Sequence, residues 1–402
     1  MRAALIVIVL IYLALGAWYA AAIPFGQAPD ESAHLVYVQY LAKEHRLPVF
    51  RPVGAGGYEF HQPPLYYALS LPAYLAGGRR AVRLFNVVLG LGVILFTYLL
   101  CREIFPDRPW RAVAAAAFAA FLPMHLALCA SVTNDVLAEV IFTAGLWQMV
   151  RGLRVGWSPR ACAAVGALAG LGLLTKSATA PLLVVGWLAV ALSRRGWRVA
   201  ARDIGLMTAA AVVIGGWWLV RNQVLYGDPL AGRAFLEAFR DRPTPAGQMA
   251  KYGLSLALYL LWVKGWTFAS FWGVFGTMNV FLPTGVYVAL GAFSAAALVG
   301  VIARLARWRQ LEAWQRQALL TLGFAALLVG LLFVRFNMSY FQAQARYLFP
   351  VIGVLAIGIV SGISALVPRP ARTAVAFLPG VVALVVALAA LPTWILPQMR
   401  MR

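Results

Sequence analysis

Apolar runs of about 20 residues recur along the whole chain, separated by short polar stretches in which arginine is frequent. That is the length an α-helix needs to cross a bilayer core of ~30 Å. Lipid offers no partner to backbone amides, so such runs must be helices rather than open strands. The pattern predicts spans near 4–22, 81–101, 112–129, 135–151, 161–175, 178–193, 204–221, 282–303, 317–335, 346–366 and 374–396, about 11 in all within a range of 10–13. Two further apolar stretches, 63–77 and 254–272, are short or interrupted, by Pro63, Pro64 and Pro72 in the first and Lys264 in the second. They predict helices lying along the interface. The expected fold class is an all-α polytopic membrane protein with one transmembrane domain over 1–402. Its long loops, 23–80 and 222–281, fall on one side of the membrane.

Composition agrees with the pattern, since 62% of the 402 residues are hydrophobic and only 12% are charged, too few to cover a soluble domain. The net charge of +21 is carried by arginines in short clusters between apolar runs. This reads as topology signals and contact with anionic membrane lipid, and no nucleic-acid partner is expected. With a cytoplasmic N-terminus, the loops 102–111, 152–160, 194–203, 304–316 and 367–373 all fall inside, and each carries arginine. Counting 254–272 as a span would move Arg304, Arg307, Arg309 and Arg316 outside. Arg79, Arg80 and Arg83 run against the rule, because this topology leaves them outside. The first run after Met1 and Arg2 reads as an uncleaved helix rather than a signal peptide. Cys101, Cys129 and Cys162 lack metal-ligand spacing and read as buried packing residues.

Candidate chemistry gathers on the outer face. Asp30 and Glu31 follow Pro29 just after the first span, and His34 lies one turn beyond Asp30 on the same face. One reading makes the two acids a helix start, where carboxylates suit the dipole. The other makes Asp30 a general base or metal ligand outside the membrane, with Glu31 as its partner. Asp135, in SVTNDVLAEV, stands between two spans, where Asn134 and Asp135 would otherwise simply cap a helix. Lys176, in LLTKSATA, lies between apolar stretches, and a lysine there is costly unless it reaches water or an anion. Snorkelling to the interface is the plainer account of it. Arg221, Asn222, Tyr226 and Asp228 form a further outer cluster, RNQVLYGD, in which Gly-Asp-Pro is a turn signal by itself. Trp217, Trp218, Trp262, Trp266 and Trp272 fit either a sugar-stacking surface or an aromatic interface belt.

Several motifs in order, the Asp-Glu pair after the first span, YEFHQPPLYYALSLPAYL, GLLTKSATAPLL, GGWWLVRNQVLYGDPL, SFWGVFGTMN and QARYLFPVI, together resemble the GT-C membrane glycosyltransferases over most of the chain. The protein O-mannosyltransferase-like and aminoarabinose-transferase-like branch is the most similar. The resemblance implies the GT-C fold and a bacterial inner-membrane protein with an extracytoplasmic active site. It implies transfer of a sugar from a polyprenyl-phosphate-linked lipid donor to an acceptor, whether glycan, lipid or protein. It makes Asp30 the catalytic first-loop acid, with Asp135 as the second acid expected in the next outer loop. The pair would serve as ligands for a divalent cation, Mg or Mn, if one is used. Lys176 and Arg346 would hold the donor phosphate, and His34 and the RNQVLYGD cluster would contact acceptor or headgroup. His61 departs from the aminoarabinose-transferase pattern, which has a lysine before the proline pair where this chain has His61-Gln62. A histidine is mostly neutral at pH ~7, so His61 would bind the donor phosphate, or a metal, without a lysine's permanent charge. The rival readings are a transporter or flippase of lipid-linked sugars and a non-catalytic envelope-assembly protein. A transporter calls for charges in mid-membrane on broken helices and an internal repeat; here the candidate acids sit in outer loops and no repeat is evident. The scaffold reading would be favoured by loss of the acids, yet Asp30 and Asp135 are both present.

Overall fold

The structure is a computed structural model that describes residues 1–51 and 57–400; stretch 52–56 of the first long loop lies outside the described residues. Helices follow one another almost without interruption. In chain order they are α1 (Arg2–Ala22), α2 (Glu31–Glu44), α3 (Leu65–Ile104), α4 (Pro109–Phe121), α5 (Pro123–Cys129) and α6 (Asp135–Val155). Next come α7 (Pro159–Leu173), α8 (Pro181–Leu192), α9 (Trp197–Tyr226), α10 (Gly232–Ala238), α11 (Pro245–Tyr252) and α12 (Leu256–Gly273). The last are α13 (Thr284–Leu305), α14 (Ala313–Ser339), α15 (Ile352–Ala365), α16 (Arg372–Val375), α17 (Leu378–Ala390) and α18 (Leu396–Arg400). A small antiparallel hairpin, β1 (Val274–Phe275) with β2 (Val280–Phe281), follows α12; it was not expected from the sequence.

Among the described residues, 8 helices are long and apolar enough to cross a membrane, or up to 10 if each of two bent pairs is one span. The expected count of about 11 is thus not reproduced. The stretches 161–175 and 178–193 fall on α7 and α8, of 15 and 12 residues, shorter than the ~20 residues of a straight span. The stretch 112–129 is divided, because Pro123 opens a new helix after Leu122 leaves helical geometry, and α4 and α5 meet at 65°. The apolar stretch 63–77 forms the first part of α3, which loses helical geometry at Gly77 and Gly78 before the spanning part begins. Gly78 has φ +60 and ψ −150, a conformation open to glycine and strained for other residues. The stretch 254–272 is helical as α12, bent 107° from α11.

The core runs through the middle of the bundle. α4 is buried from Arg111 to Phe121, and its alanines let α1, α3, α15 and α17 approach closely. Small residues do this work in membrane bundles because lipid tails are as apolar as leucine and close packing decides association. Two helix pairs depend on glycine at the contact. On α13 and α15, a Cβ at Gly300 would stand 2.0 Å from the Gly362 carbonyl oxygen, and one at Gly362 would stand 2.1 Å from that of Ala297. On α7 and α9, a Cβ at Gly166 would stand 2.1 Å from the Met207 carbonyl oxygen. Trp272, a candidate sugar-stacking residue, is fully buried and lies edge-on to Phe118, while Trp262 stacks on Phe341.

These contacts predict that Gly362→Val pushes α13 and α15 apart and costs about 1–3 kcal/mol, read as a lower unfolding midpoint in detergent. Gly323→Ala, on α14 with nothing within 4 Å of the added carbon, does not lower the midpoint and raises it slightly, because alanine favours the helix.

Candidate active site

Four helix starts and loops bring polar residues to one end of the bundle. The first loop delivers Asp30 immediately before α2, at φ 61, a left-handed conformation that aspartate tolerates better than most residues. A short 3₁₀ turn, Tyr58–His61, lies beside it. Asp135 opens α6, Lys176 sits between α7 and the 3₁₀ turn Ser177–Thr179, and Arg346 lies in the 3₁₀ segment Ala345–Val351 that leads into α15.

One guanidinium joins the two acids. Arg346 Nη2 donates to Asp30 Oδ2 at 2.5 Å, and Arg346 Nη1 stands 3.5 Å from Asp135 Oδ2. Lys176 Nζ donates to Asp135 Oδ1, and the Thr133 hydroxyl donates to Asp135 Oδ2 at 3.1 Å. Tyr58 donates its phenol proton to Asp30 Oδ1 at 2.9 Å. The Tyr347 ring lies under both cations, 5.6 Å from Lys176 Nζ and 5.2 Å from the Arg346 guanidinium carbon. Exposure separates the members: the side chains of Arg346, Asp135 and Lys176 are 4%, 5% and 12% exposed, whereas that of Asp30 is 29%. Of the two carboxylates, Asp30 is the one an incoming molecule can reach.

Electrostatics holds the group ionised. Burial by itself would raise the Asp30 pKa, but the charge and hydrogen bond of Arg346 outweigh it and keep the carboxyl well below the usual range. Burial likewise opposes the Lys176 ammonium, and the Asp135 carboxylate overcomes that and raises its pKa. The neighbouring groups behave differently. Burial raises the Glu59 carboxyl, burial lowers the His34 imidazole, and burial pushes the His61 imidazole down to about 4.

Glu31, adjacent to Asp30 in sequence, points elsewhere. It is fully buried and takes two hydrogen bonds from Arg83, at 2.7 and 2.8 Å, one from the Gly26 amide at 2.8 Å and one from the Val132 amide at 3.1 Å. Arg83 also donates to the carbonyl oxygens of Ala20, Ile23 and Pro24. Among the described residues Glu31 shares no hydrogen bond or ion pair with Asp30, so its geometry is that of a clamp holding the first loop against α3. This also accounts for Arg83, one of the three arginines that run against the charge rule.

The remaining candidates lie around the group. His34 is buried, with Nδ1 2.8 Å from the Tyr67 hydroxyl. His61 Nδ1 donates to the Tyr58 carbonyl oxygen at 2.6 Å, and its Nε2 accepts from the Gln62 amide at 3.1 Å, the pattern of a neutral ring. The RNQVLYGD cluster serves as tethers. Arg221 donates to the Pro48 carbonyl oxygen at 2.6 Å, and Tyr226 accepts from the Phe50 amide at 2.9 Å. Asn222 donates to the Pro229 carbonyl oxygen at 3.1 Å, and Asp228 accepts the amides of Leu230, Gly232 and Arg233. Tyr58, Thr133 and Tyr347 were not singled out from sequence; Tyr58 stands in the YEFH segment that opens the His61 motif. One turn below Asp135, Glu139 pairs with His125 at 2.9 Å, both fully buried, and no motif flagged them.

Between Asp30 and Asp135, the expected ligands of a divalent ion, the structure places the Arg346 guanidinium. Among the described residues no group of three or more His, Cys, Asp or Glu gathers in metal-binding geometry.

The profile of the family described as dolichyl-phosphate-mannose-protein mannosyltransferase matches residues 61–218, a stretch with His61, Asp135 and Lys176 but neither Asp30 nor Arg346. Among solved structures, the Archaeoglobus fulgidus oligosaccharyltransferase in complex with Zn and sulfate superposes with TM-score 0.59 at 16% identity, covering 96% of this chain and 53% of its own. ArnT from Cupriavidus metallidurans bound to undecaprenyl phosphate gives 0.58 at 17% identity, covering 98% of this chain and 73% of its own. The chain has the GT-C fold. The arabinofuranosyltransferase AftD from Mycobacteria shares it at TM-score 0.53 and 17% identity, over 97% of this chain and 26% of AftD. This GT-C chain thus spans about half the length of the archaeal enzyme. Curated protein sequences contain no match.

Two outcomes follow from this geometry. Arg83→Met strands the buried Glu31 carboxylate and lowers stability by about 3–5 kcal/mol, whereas Arg83→Met with Glu31→Leu recovers most of it, both read from unfolding midpoints. His61 has a folded pKa of about 4 against an ordinary 6.5. Between those values the unfolded chain holds a proton that the folded chain lacks. The stability contributed by the neutral ring is therefore complete above pH ~6.5 and lost as pH falls toward ~4. The midpoint of His61→Asn accordingly falls less than that of wild type across this window.

Proposed function

We propose that this protein is a glycosyltransferase that moves a sugar from a polyprenyl-phosphate-linked donor to an acceptor hydroxyl at the extracytoplasmic face of the membrane. The observation that carries the proposal is the Asp30–Arg346–Asp135–Lys176 group: an accessible carboxylate beside two buried cations, in a GT-C fold. ArnT in its superposed structure is bound to undecaprenyl phosphate, and the matched family profile describes use of a dolichyl-phosphate sugar. Both support a lipid phosphate as the leaving group here.

In the proposed reaction the acceptor hydroxyl gives its proton to Asp30. Its oxygen bonds to the anomeric carbon as the bond from that carbon to the phosphate oxygen breaks. The electron pair leaves with the lipid phosphate, and attack opposite the leaving group inverts the anomeric centre. Lys176 and Arg346 face the negative charge that develops on the departing phosphate. Both cations are paired with carboxylates in the protein alone, so a phosphate must compete for them. As Arg346 turns toward it, Asp30 loses the contact that depresses its pKa and becomes a stronger base. Asp135 anchors Lys176 and Arg346 rather than touching the sugar. Extracytoplasmic placement rests on the arginine-bearing loops at the opposite end of the spans.

Purified protein in detergent, given a panel of radiolabelled polyprenyl-phosphate sugars and membrane extract as acceptor pool, tests this directly. Asp30→Asn is expected to lower sugar transfer by about 10²–10⁴-fold while donor binding and folding persist. Unchanged transfer in that variant removes Asp30 from the mechanism. Absence of both transfer and donor binding in wild type favours a transporter or scaffold instead.

A further inference from the structure

Arg83 is consumed by Glu31 and three carbonyl oxygens, but its neighbours Arg79 and Arg80 are not. Both are exposed, and among the described residues neither has a carboxylate partner. They line a cavity of about 490 Å³ between the end of α1 and the start of the spanning part of α3. Its other walls are Ala17, Ala20 and Ala21 on α1, with Ile23, Pro24 and Phe25 after it and Leu84 on α3. No acidic side chain lines it. Arg79 lies over the Phe25 ring at 4.9 Å, so its guanidinium is held at the cavity rather than extended into water.

The cavity has two chemically distinct parts. Arg79 and Arg80 form a cationic mouth where the chain leaves one span and enters another. Below it, the exposed side chains of Ala17, Ala21 and Leu84 continue the wall as an apolar surface along α1 and α3. Two uncompensated guanidinium groups above an apolar groove match a molecule with an anionic head and hydrocarbon tails. Simple snorkelling explains a lone interfacial arginine. It leaves unexplained a cavity large enough for a headgroup and lined by an adjacent arginine pair without a carboxylate partner among the described residues.

We propose that this cavity binds the phosphate headgroup of an anionic glycerophospholipid of the surrounding bilayer, with Arg79 and Arg80 as its ligands and its acyl chains along α1 and α3. The site is separate from the Asp30 group and independent of the transfer reaction. Its wall includes Phe25, in the loop that delivers Asp30, and Arg83, which clamps that loop through Glu31. A bound headgroup therefore braces the entry to α2.

The test uses delipidated full-length protein in a neutral detergent, titrated with phosphatidylglycerol, phosphatidylcholine or inorganic phosphate. Retained lipid is read by native mass spectrometry and stability by the unfolding midpoint. Wild type is expected to retain phosphatidylglycerol in preference to phosphatidylcholine and to gain stability from it. Arg79→Gln with Arg80→Gln is expected to weaken retention by roughly thirtyfold, the effect of removing two arginines from a membrane-surface site. Ala21→Trp, which obstructs the cavity and keeps both charges, is expected to weaken it as well. Equal retention in the double arginine variant overturns the proposal. So does stabilisation by inorganic phosphate equal to that by phosphatidylglycerol, which would mark a small-anion site.

Discussion

The ion pair between Arg346 and Asp30 joins residues from opposite ends of the chain, and the geometry of the polar end of the bundle depends on it. A guanidinium that is 4% exposed at the end of a membrane bundle is costly unless carboxylates receive it. Asp30 and Asp135 do so from two different elements, the first loop and the start of α6. Because the same cation reaches both, neither acid can shift without disturbing the other. Lys176, held by Asp135, is fixed by the same constraint.

This arrangement balances two negative and two positive side chains, and the balance has a chemical consequence. A neutral group can form in the absence of ligand without stranding charge in a dry site. A phosphate entering it meets cations that already have partners and must draw them away. In the reaction we propose, part of the binding energy of a donor would be spent in freeing Asp30 from Arg346, which would convert binding into basicity at that carboxylate. An acid permanently held by its arginine would be a poor base, and one without it would be costly to bury in the ionised form.

Much of the architecture was legible in the chain because apolar run length is a direct consequence of bilayer thickness. The eight long helices all fall on runs visible by inspection. The runs at 161–175 and 178–193 do form helices, but apolar composition does not reveal that they end at Leu173 and Leu192. Asp30, Asp135 and Lys176 stood out because a charge beside an apolar run demands a reason, Arg346 through the family resemblance, and the structure brings those four side chains together. Glu31 was indistinguishable from Asp30 by that criterion. Only the fold shows that one carboxylate is open and the other is enclosed by Arg83. Tyr58, Thr133 and the His125–Glu139 pair were hidden for a related reason: hydroxyls are unremarkable in sequence, and a buried ion pair is visible only when its partner is known.

The divergence of Asp30 and Glu31 follows from backbone geometry. Asp30 takes φ 61 just before α2, whereas Glu31 is the first residue inside the helix. A left-handed residue at a helix start reverses the chain locally, so consecutive side chains leave in different directions. One reaches Arg346 at the open end of the bundle; the other reaches Arg83 on α3. The helix start is thereby pinned from two sides, and the strain of the left-handed residue is sustained because both contacts resist its relaxation. Arg83 does more than complete a buried pair. By holding the carbonyl oxygens of Ala20, Ile23 and Pro24 as well as Glu31, it fixes the path from the end of α1 to α2 and so the direction in which Asp30 faces.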